Sequence, residues 1–225
     1  MEKIGLFITF EGIEACGKST QVKLLEKYLS QEGYTVKLLR EPGGTRIGEE
    51  IRHTLKHSKD NAAMTSEGEL LLMNASRAQL VRETIIPALT NGEIVVCDRF
   101  YDSTTAYQGY GRQIDLAAVQ TVINLATGGL KPDITFLLNA NPEQGQFNLE
   151  KRISTLPFVR DRIEEADRAF FDRAYSGYQQ IADKEPDRIK IIPYRQDGID
   201  STHTDIIGYV NRYMKENPKL YLVKK

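Results

Sequence analysis

Four residues at fixed spacing, Gly12, Gly17, Lys18 and Ser19, read G-x-x-x-x-G-K-S within the stretch Ile-Thr-Phe-Glu-Gly-Ile-Glu-Ala-Cys-Gly-Lys-Ser-Thr at 8–20. These residue types at this spacing suit one task, holding a polyphosphate. Consecutive backbone N–H groups in a wrapped loop surround negative charge without using side chains, and glycine lets the backbone come close. The loop ends where a helix begins, and a helix N-terminus favours an anion. Lys18 has the reach for the terminal phosphates, and the Ser19 hydroxyl is suited to Mg²⁺. The whole loop (Gly12, Ile13, Glu14, Ala15, Cys16, Gly17, Lys18, Ser19 and Thr20) is therefore expected to bind a nucleoside triphosphate.

Regular elements must hold that loop. The apolar run at 4–10 predicts a strand entering it, and Val22, Leu24, Leu25 and Tyr28 give the helical pattern over 18–32 that leaves it, stopped by Gly33. A second strand at 35–40 precedes Glu41-Pro42-Gly43-Gly44-Thr45, which reads as a loop, and a short helix follows at 46–57. Ser66-x-x-Glu69 reads as a capping box opening a helix to residue 89, with Pro87 expected to kink or restart its last turn. Glu93 to Cys97 predicts a third strand, and the polar, glycine-rich residues 102–113 read as a connection. Asp115 is placed to cap a helix to residue 127, ended by Gly128-Gly129, and Ile134 to Leu138 predicts a fourth strand. Residues 141–162 read as irregular and charged. An amphipathic pattern covers 164–184 with Ala166, Phe170, Ala174, Tyr178 and Ile181 on one face, followed by a strand at 189–192 and a helix at 201–216.

Short apolar strands alternating with helices imply an α/β fold. The expected form is a five-stranded parallel sheet with helices on both faces, the three-layer P-loop NTPase arrangement, in one domain over 1–225. Ligands in such sheets bind beyond the carboxyl ends of the strands. The P-loop, Arg40-Glu41, Asp98-Arg99 and Asn139 all fall there.

With 40% apolar and 27% charged residues and a net charge of −1, the chain reads as a soluble globular protein without general attraction to nucleic acid or membranes. The first apolar run ends at Glu11, which fits a strand and not a signal peptide, and no run approaches the roughly 20 apolar residues of a membrane helix. Cys16 and Cys97 form neither a disulfide framework nor a metal site and point to a reducing cytosol.

The loop alone leaves hydrolysis, switching and phosphoryl transfer open. A guanine-reading Asn-Lys-x-Asp is missing, since Leu130-Lys131-Pro132-Asp133 precedes a strand and lacks the asparagine. A second set of polar groups suits a second anion. Arg99, directly after a strand, can fork onto a phosphate, or it can simply pair with Asp98. Glu14 lies among the phosphates, where a carboxylate is costly unless it meets Mg²⁺ or a sugar hydroxyl, or it faces solvent.

Arg40-Glu41-Pro42-Gly43-Gly44-Thr45, then Asp98-Arg99-Phe100 and Ser103-Thr104-Thr105-Ala106-Tyr107-Gln108-Gly109, resemble the thymidylate kinase family in order and spacing, and the resemblance runs over essentially the whole chain. It implies phosphorylation of dTMP to dTDP with ATP and Mg²⁺, by a cytoplasmic homodimer with no nucleic-acid or membrane partner. The resemblance assigns Arg99 to the acceptor phosphate and Glu14 to the neighbourhood of the deoxyribose 3′-hydroxyl. Asp98, with Ser19, is placed at the Mg²⁺ or orients Arg99. Arg77 would donate to a thymine carbonyl, Thr104 and Gln108 would read the remaining base edge, and Tyr107 would lie under the sugar. Arg40, Pro42, Met73 and Ser103 complete the implied dTMP pocket.

Residues 141–162 resemble the family's short lid over ATP. The variable loop positions Ile13, Glu14, Ala15 and Cys16 carry no cation, so the lid must supply one. Lys151, Arg152, Arg160 and Arg162 are candidates, with Arg152 and Arg160 preferred as catalytic beside Lys18, Arg99 and Glu14. The chain departs from the family pattern at Ala15-Cys16 (usually Gly-Ala), Met73 (usually phenylalanine), Tyr175 (usually arginine) and Asn139 (usually aspartate). These departures motivate two alternatives, a deoxynucleoside monophosphate kinase of relaxed or altered specificity and a catalytically weakened nucleotide-binding paralogue.

Overall fold

The computed structural model describes residues 4–58, 61–155, 162–163, 165–196, 198–220 and 222–224, without the side chains of 62 and 152–155. Strands β1 (Leu6–Glu11), β2 (Val36–Arg40), β3 (Ile94–Asp98), β4 (Ile134–Asn139) and β5 (Ile189–Pro193) form one parallel sheet in the order β2-β3-β1-β4-β5. The expected five-stranded parallel sheet is therefore present. Phe10 and Arg40 both pair with Asp98, so the ends of β1, β2 and β3 lie level at the carboxyl edge.

β1 is buried along its whole length and alternates between two cores. Leu6, Ile8 and Phe10 pack with Val22, Leu25 and Leu29 of α1 (Lys18–Gln31) and with Ile206 and Val210 of α9 (Ile199–Glu216). Phe7 packs on the other face with Val95, Cys97, Leu80, Ile85, Val119 and Ile123. Leu137 and Ile189 complete that face against Tyr107, Phe170 and Tyr178. Fully burying one such apolar side chain contributes about 1.5–3 kcal/mol, which makes polar residues on β1 conspicuous. Thr9 is satisfied by Thr135, with Oγ1···Oγ1 at 2.7 Å. Glu11 is the other, and it leads into the site.

The structure corrects several sequence expectations. The cap of α3 (Ser66–Leu80) is Thr65, whose hydroxyl accepts from Gly68 N, so Ser66 is the first helical residue and Glu69 has no capping role. Pro87 lacks an N–H and crowds the carbonyl four residues back, and the chain absorbs it by widening. A π-turn spans Val81–Ile85 before α4 (Ile86–Thr90), which carries the proline in its first turn. Residues 102–113 are largely helical, as α5 (Tyr101–Thr104) and a π-helix over Thr105–Gly111. The glycines that suggested a loop instead permit close packing, since a Cβ on Gly109 would sit 2.7 Å from Leu116 and one on Gly111 2.6 Å from the Phe170 ring.

The expected lid is not irregular throughout, because α7 spans Pro142–Thr155. Asn141 and Gln144 start it reciprocally, each side-chain oxygen accepting from the other's backbone N–H. α8 (Arg168–Lys184) begins later than expected, capped by Asp167. The short helix α2 (Arg46–His57) and α6 (Leu116–Thr127), capped by Asp115, lie where expected. Among the described residues no helix is long and apolar enough to cross a membrane.

Candidate active site

A cleft of about 330 Å³ opens at the carboxyl edge of β1, β2 and β3. Its walls include Glu14, Ala15, Lys18, Ser19, Arg40, Pro42, Met73, Arg77, Asp98, Arg99, Ser103, Thr104, Tyr107 and Gln108, so one cavity gathers most of the residues singled out above. Asn139 is not among them; its side chain accepts from Gln179.

One end of the cleft is the loop between β1 and α1. Gly12 has φ 133° and lies against β4, so a Cβ there would meet Leu138 O at 2.6 Å. Gly17, at φ 97°, caps α1. Ala15 also takes a left-handed φ, 54°, which a Cβ makes unfavourable by about 1–2 kcal/mol. Lys18 Nζ donates to Gly12 O (3.0 Å) and Ile13 O (2.6 Å), drawing the loop around its own ammonium. Ser19 Oγ donates to Asp98 Oδ2 at 2.7 Å.

α7 lies directly on this loop. Asn148 donates to Ala15 O, and a Cβ on Gly145 would sit 2.9 Å from Glu14 O. Behind the loop a second recess of about 150 Å³ is lined by Thr20, Cys16, Asn148, Tyr194, Arg195 and Gln196. The sequence argument missed the last four. The strand-end rule, applied to β5 as to the other strands, points to Tyr194, Arg195 and Gln196.

The other end is built from side chains. Arg99 sits at φ 72°, a left-handed backbone for a non-glycine residue, which throws its guanidinium back over the loop. It donates to Gly12 O (2.9 Å), Ser103 Oγ (3.0 Å), Tyr178 Oη (3.1 Å) and Glu14 Oε1 (2.8 Å), and lies 5.2 Å from the Tyr107 ring centre. Burial works against its charge, but Tyr107, Glu14, Tyr178 and Glu11 outweigh it and raise its pKa well above the usual value. The second oxygen of Glu14 accepts from Tyr107 Oη at 2.6 Å. Burial, then Glu14, holds the Tyr107 hydroxyl well above its ordinary pKa, so it stays a donor.

Two residues of this end were missed. Glu11, buried on β1, accepts from Phe100 N, Ser103 Oγ and Tyr178 Oη. Burial, followed by the neighbouring Asp102 carboxylate, pushes its pKa up to about 7. Asp102 is itself held in a two-point pair with Arg188. Tyr178 was placed in the core by helical periodicity, but that pattern gives no hint that its hydroxyl reaches Arg99.

Arg77 is buried against Glu41, Asn74 Oδ1, Thr104 Oγ1 and Phe100 O. Burial pushes the Glu41 carboxyl up and Arg77 opposes it; Glu41 Oε1 is buried with no partner among the described residues. Arg40 pairs with Glu49 at the cleft mouth, with Pro42 O beside it. Of the lid cations, Lys151 is exposed, the Arg152 side chain and Arg160 lie outside the described residues, and Arg162 turns away from the P-loop to pair with Glu69. Cys16 and Cys97 are both buried, free thiols.

One cleft thus joins the glycine loop and Lys18 at one end to the Arg99 guanidinium at the other. The family model described as thymidylate kinase matches residues 10–206. A thymidylate kinase of Chlorobium luteolum is 46% identical over 94% of this chain and 99% of its own, and one of Exiguobacterium is 44% identical over 91% and 93%. The crystal structure of thymidylate kinase from Ehrlichia chaffeensis superposes with a TM-score of 0.72 at 34% identity, covering 92% of this chain and 98% of that one. By sequence and by fold, the chain belongs to the thymidylate kinase family.

Proposed function

We propose that this cleft transfers the γ-phosphoryl group of ATP to an α-phosphate oxygen of dTMP, giving ADP and dTDP for deoxynucleotide synthesis. The observation that carries the reading is a shared atom. Lys18 of the phosphate loop and Arg99 of the opposite wall both donate to Gly12 O, at 3.0 and 2.9 Å. Two cations from opposite ends thus meet where a transferring phosphoryl group would lie. No covalent intermediate is needed, because holding donor and acceptor in line and neutralising charge accounts for the rate.

The donor end takes ATP, with phosphates on the loop and α1 N-terminus and the base in the recess bounded by Tyr194 and Gln196. Ser19 and Asp98 offer two oxygen donors 2.7 Å apart, which suits a hard cation sharing phosphate oxygens. When bound, Mg²⁺ neutralises the β- and γ-phosphate oxygens. The acceptor end takes dTMP, its phosphate on Arg99, its sugar against Glu14 and Tyr107, and its base between Met73, Arg77, Thr104 and Gln108. α7, packed on the loop, excludes water from the donor. Arg162 is engaged by Glu69, which leaves Lys151, Arg152 and Arg160 as lid cations, with Arg152 and Arg160 the preferred pair.

The family reading extends to a homodimer, supported by Ile47, Leu71 and Leu125, exposed apolar residues on the neighbouring helices α2, α3 and α6. Two free thiols suit a cytoplasmic protein. Coupled ADP release over a panel of nucleoside monophosphates tests the reaction. Turnover should require dTMP, and ATP consumption that ignores dTMP would end the proposal.

A further inference from the structure

The acceptor end contains a carboxylate that no role above uses. Glu69 on α3 is 1% exposed, and its oxygens are fully engaged. Oε1 accepts from Gln108 Nε2 at 2.9 Å and Arg112 Nε at 3.2 Å. Oε2 accepts from Arg112 Nη2 at 3.0 Å and from Arg162 Nη1. A carboxylate has about four lone-pair sites, and all are taken, by Gln108 and Arg112 from one helical segment and by Arg162 from a separate stretch of chain.

The consequence falls on Gln108. A carboxylate only accepts, so the Gln108 group facing it must be the amide NH₂. The amide is planar, and Oε1 then points the other way. Gln108 lines the cleft, and among the described residues nothing donates to its Oε1. A buried glutamine thus presents a fixed acceptor to the cavity, where a free glutamine could offer either face.

We propose that Glu69 is a positioning residue for base selection, resting on the dTMP reading above. By fixing the orientation of Gln108 it makes the cleft accept pyrimidines that carry an N–H at ring position 3, as thymine does. It rejects cytosine, whose N3 lone pair would face the Gln108 oxygen. An unmatched buried polar pair is costly, which gives the device its discrimination. Arg112 and Arg162 hold Glu69 in place.

The experiment uses the full chain. Glu69→Gln removes the orientation rule, because two facing amides can pair in either sense. The expected result is a KM for dTMP raised by about tenfold or more, a KM for ATP nearly unchanged, and a kcat/KM ratio of dTMP over dCMP lowered by about tenfold or more. An unchanged ratio, or equal movement of both KM values, overturns the proposal. Arg112→Lys keeps the Glu69–Gln108 bond and should lower stability while preserving the ratio; a ratio that falls as far as in Glu69→Gln overturns it too. A variant-free arm uses nitrogen-15 NMR of the wild-type side-chain amides. The Gln108 NH₂ protons should remain protected from exchange when dTMP is added, and their release would sink the idea. Failure of the kinase reading would instead show as wild-type chain that does not turn over dTMP, with the Gln108 protection still measurable.

Discussion

The two ends of the cleft are built by different means. The donor end is mostly backbone: a loop bent by Gly12 and Gly17, one lysine folded onto two carbonyls, and a helix terminus. The acceptor end is mostly carboxylate–guanidinium pairs reaching between elements, Glu14 with Arg99, Glu41 with Arg77 and Glu69 with Arg112. Backbone groups fit any polyphosphate, and their geometry follows from local conformation. Paired side chains fix each other's orientation and so discriminate among acceptors, but each pair depends on the whole fold. The donor end should therefore be robust and general, the acceptor end selective and easily disabled.

Substitutions at the shared Gly12 carbonyl test that division most directly. Arg99→Ala should lower kcat/KM for dTMP by a factor on the order of 10³, while ATP affinity by calorimetry stays within a few-fold. Lys18→Ala should weaken ATP and leave dTMP binding largely intact. If each variant damages both ligands equally, the two ends are one site and the contrast fails.

A second test concerns stability. Arg77 and Glu41 are both almost fully buried, and removing one charge strands the other. Arg77→Met should cost about 3–5 kcal/mol in urea unfolding. Lys18→Met, which leaves no buried carboxylate behind, should cost far less. Similar losses would mean that the acceptor pairs are no more demanding than the loop.

The pH dependence of stability separates the ends further. Glu11 has a raised pKa in the folded chain, about 7 against 4.5, because burial, then Asp102, disfavours its charge. A raised carboxyl pKa means that the folded state holds the proton more tightly. Its contribution is fully present below pH 4.5 and is lost as pH rises through 7, with an amplitude on the order of 3 kcal/mol. Glu11→Gln should flatten that part of the pH–stability curve, while Asp98→Asn at the loop should leave it in place. An unchanged slope in Glu11→Gln would place the titration elsewhere.

The same contrast explains what could be read from the chain. Alternation of short apolar runs and helical patterns located all five strands and the main helices, because each depends on local periodicity. The G-x-x-x-x-G-K-S spacing located the donor loop for the same reason. Residues 102–113 and 141–162 were read as irregular because glycine and charge dominate them locally. Their helices depend on tertiary contact, Gly111 under the Phe170 ring, or on the reciprocal Asn141–Gln144 cap. Arg99, Arg77 and Gln108 could be named as candidates, but their partners could not. Glu69 reads as a capping residue until α3 is seen to start at Ser66, and Glu11 reads as the end of a strand until Ser103 and Tyr178 close on it. Pairings that span 36 residues, as between Glu41 and Arg77, to 167, as between Glu11 and Tyr178, leave no local trace.

The smallest expected effect lies in the loop itself. Ala15 stands where the resemblance implies glycine, and its φ of 54° is the left-handed conformation that a Cβ disfavours. The Cβ strain of about 1–2 kcal/mol is partly offset by the alanine's smaller loss of chain entropy on folding. Ala15→Gly should therefore stabilise the chain by about 0.5–1 kcal/mol, against the usual direction of glycine substitutions. It should also leave Ala15 O free to keep its bond to Asn148, since that contact is backbone-mediated. ATP affinity should stay level or rise slightly, and dTMP affinity should not move, because no acceptor-end pair includes this residue. A loss of stability in Ala15→Gly would show that the loop relaxes around its alanine and is less rigidly set by backbone geometry than the donor end requires.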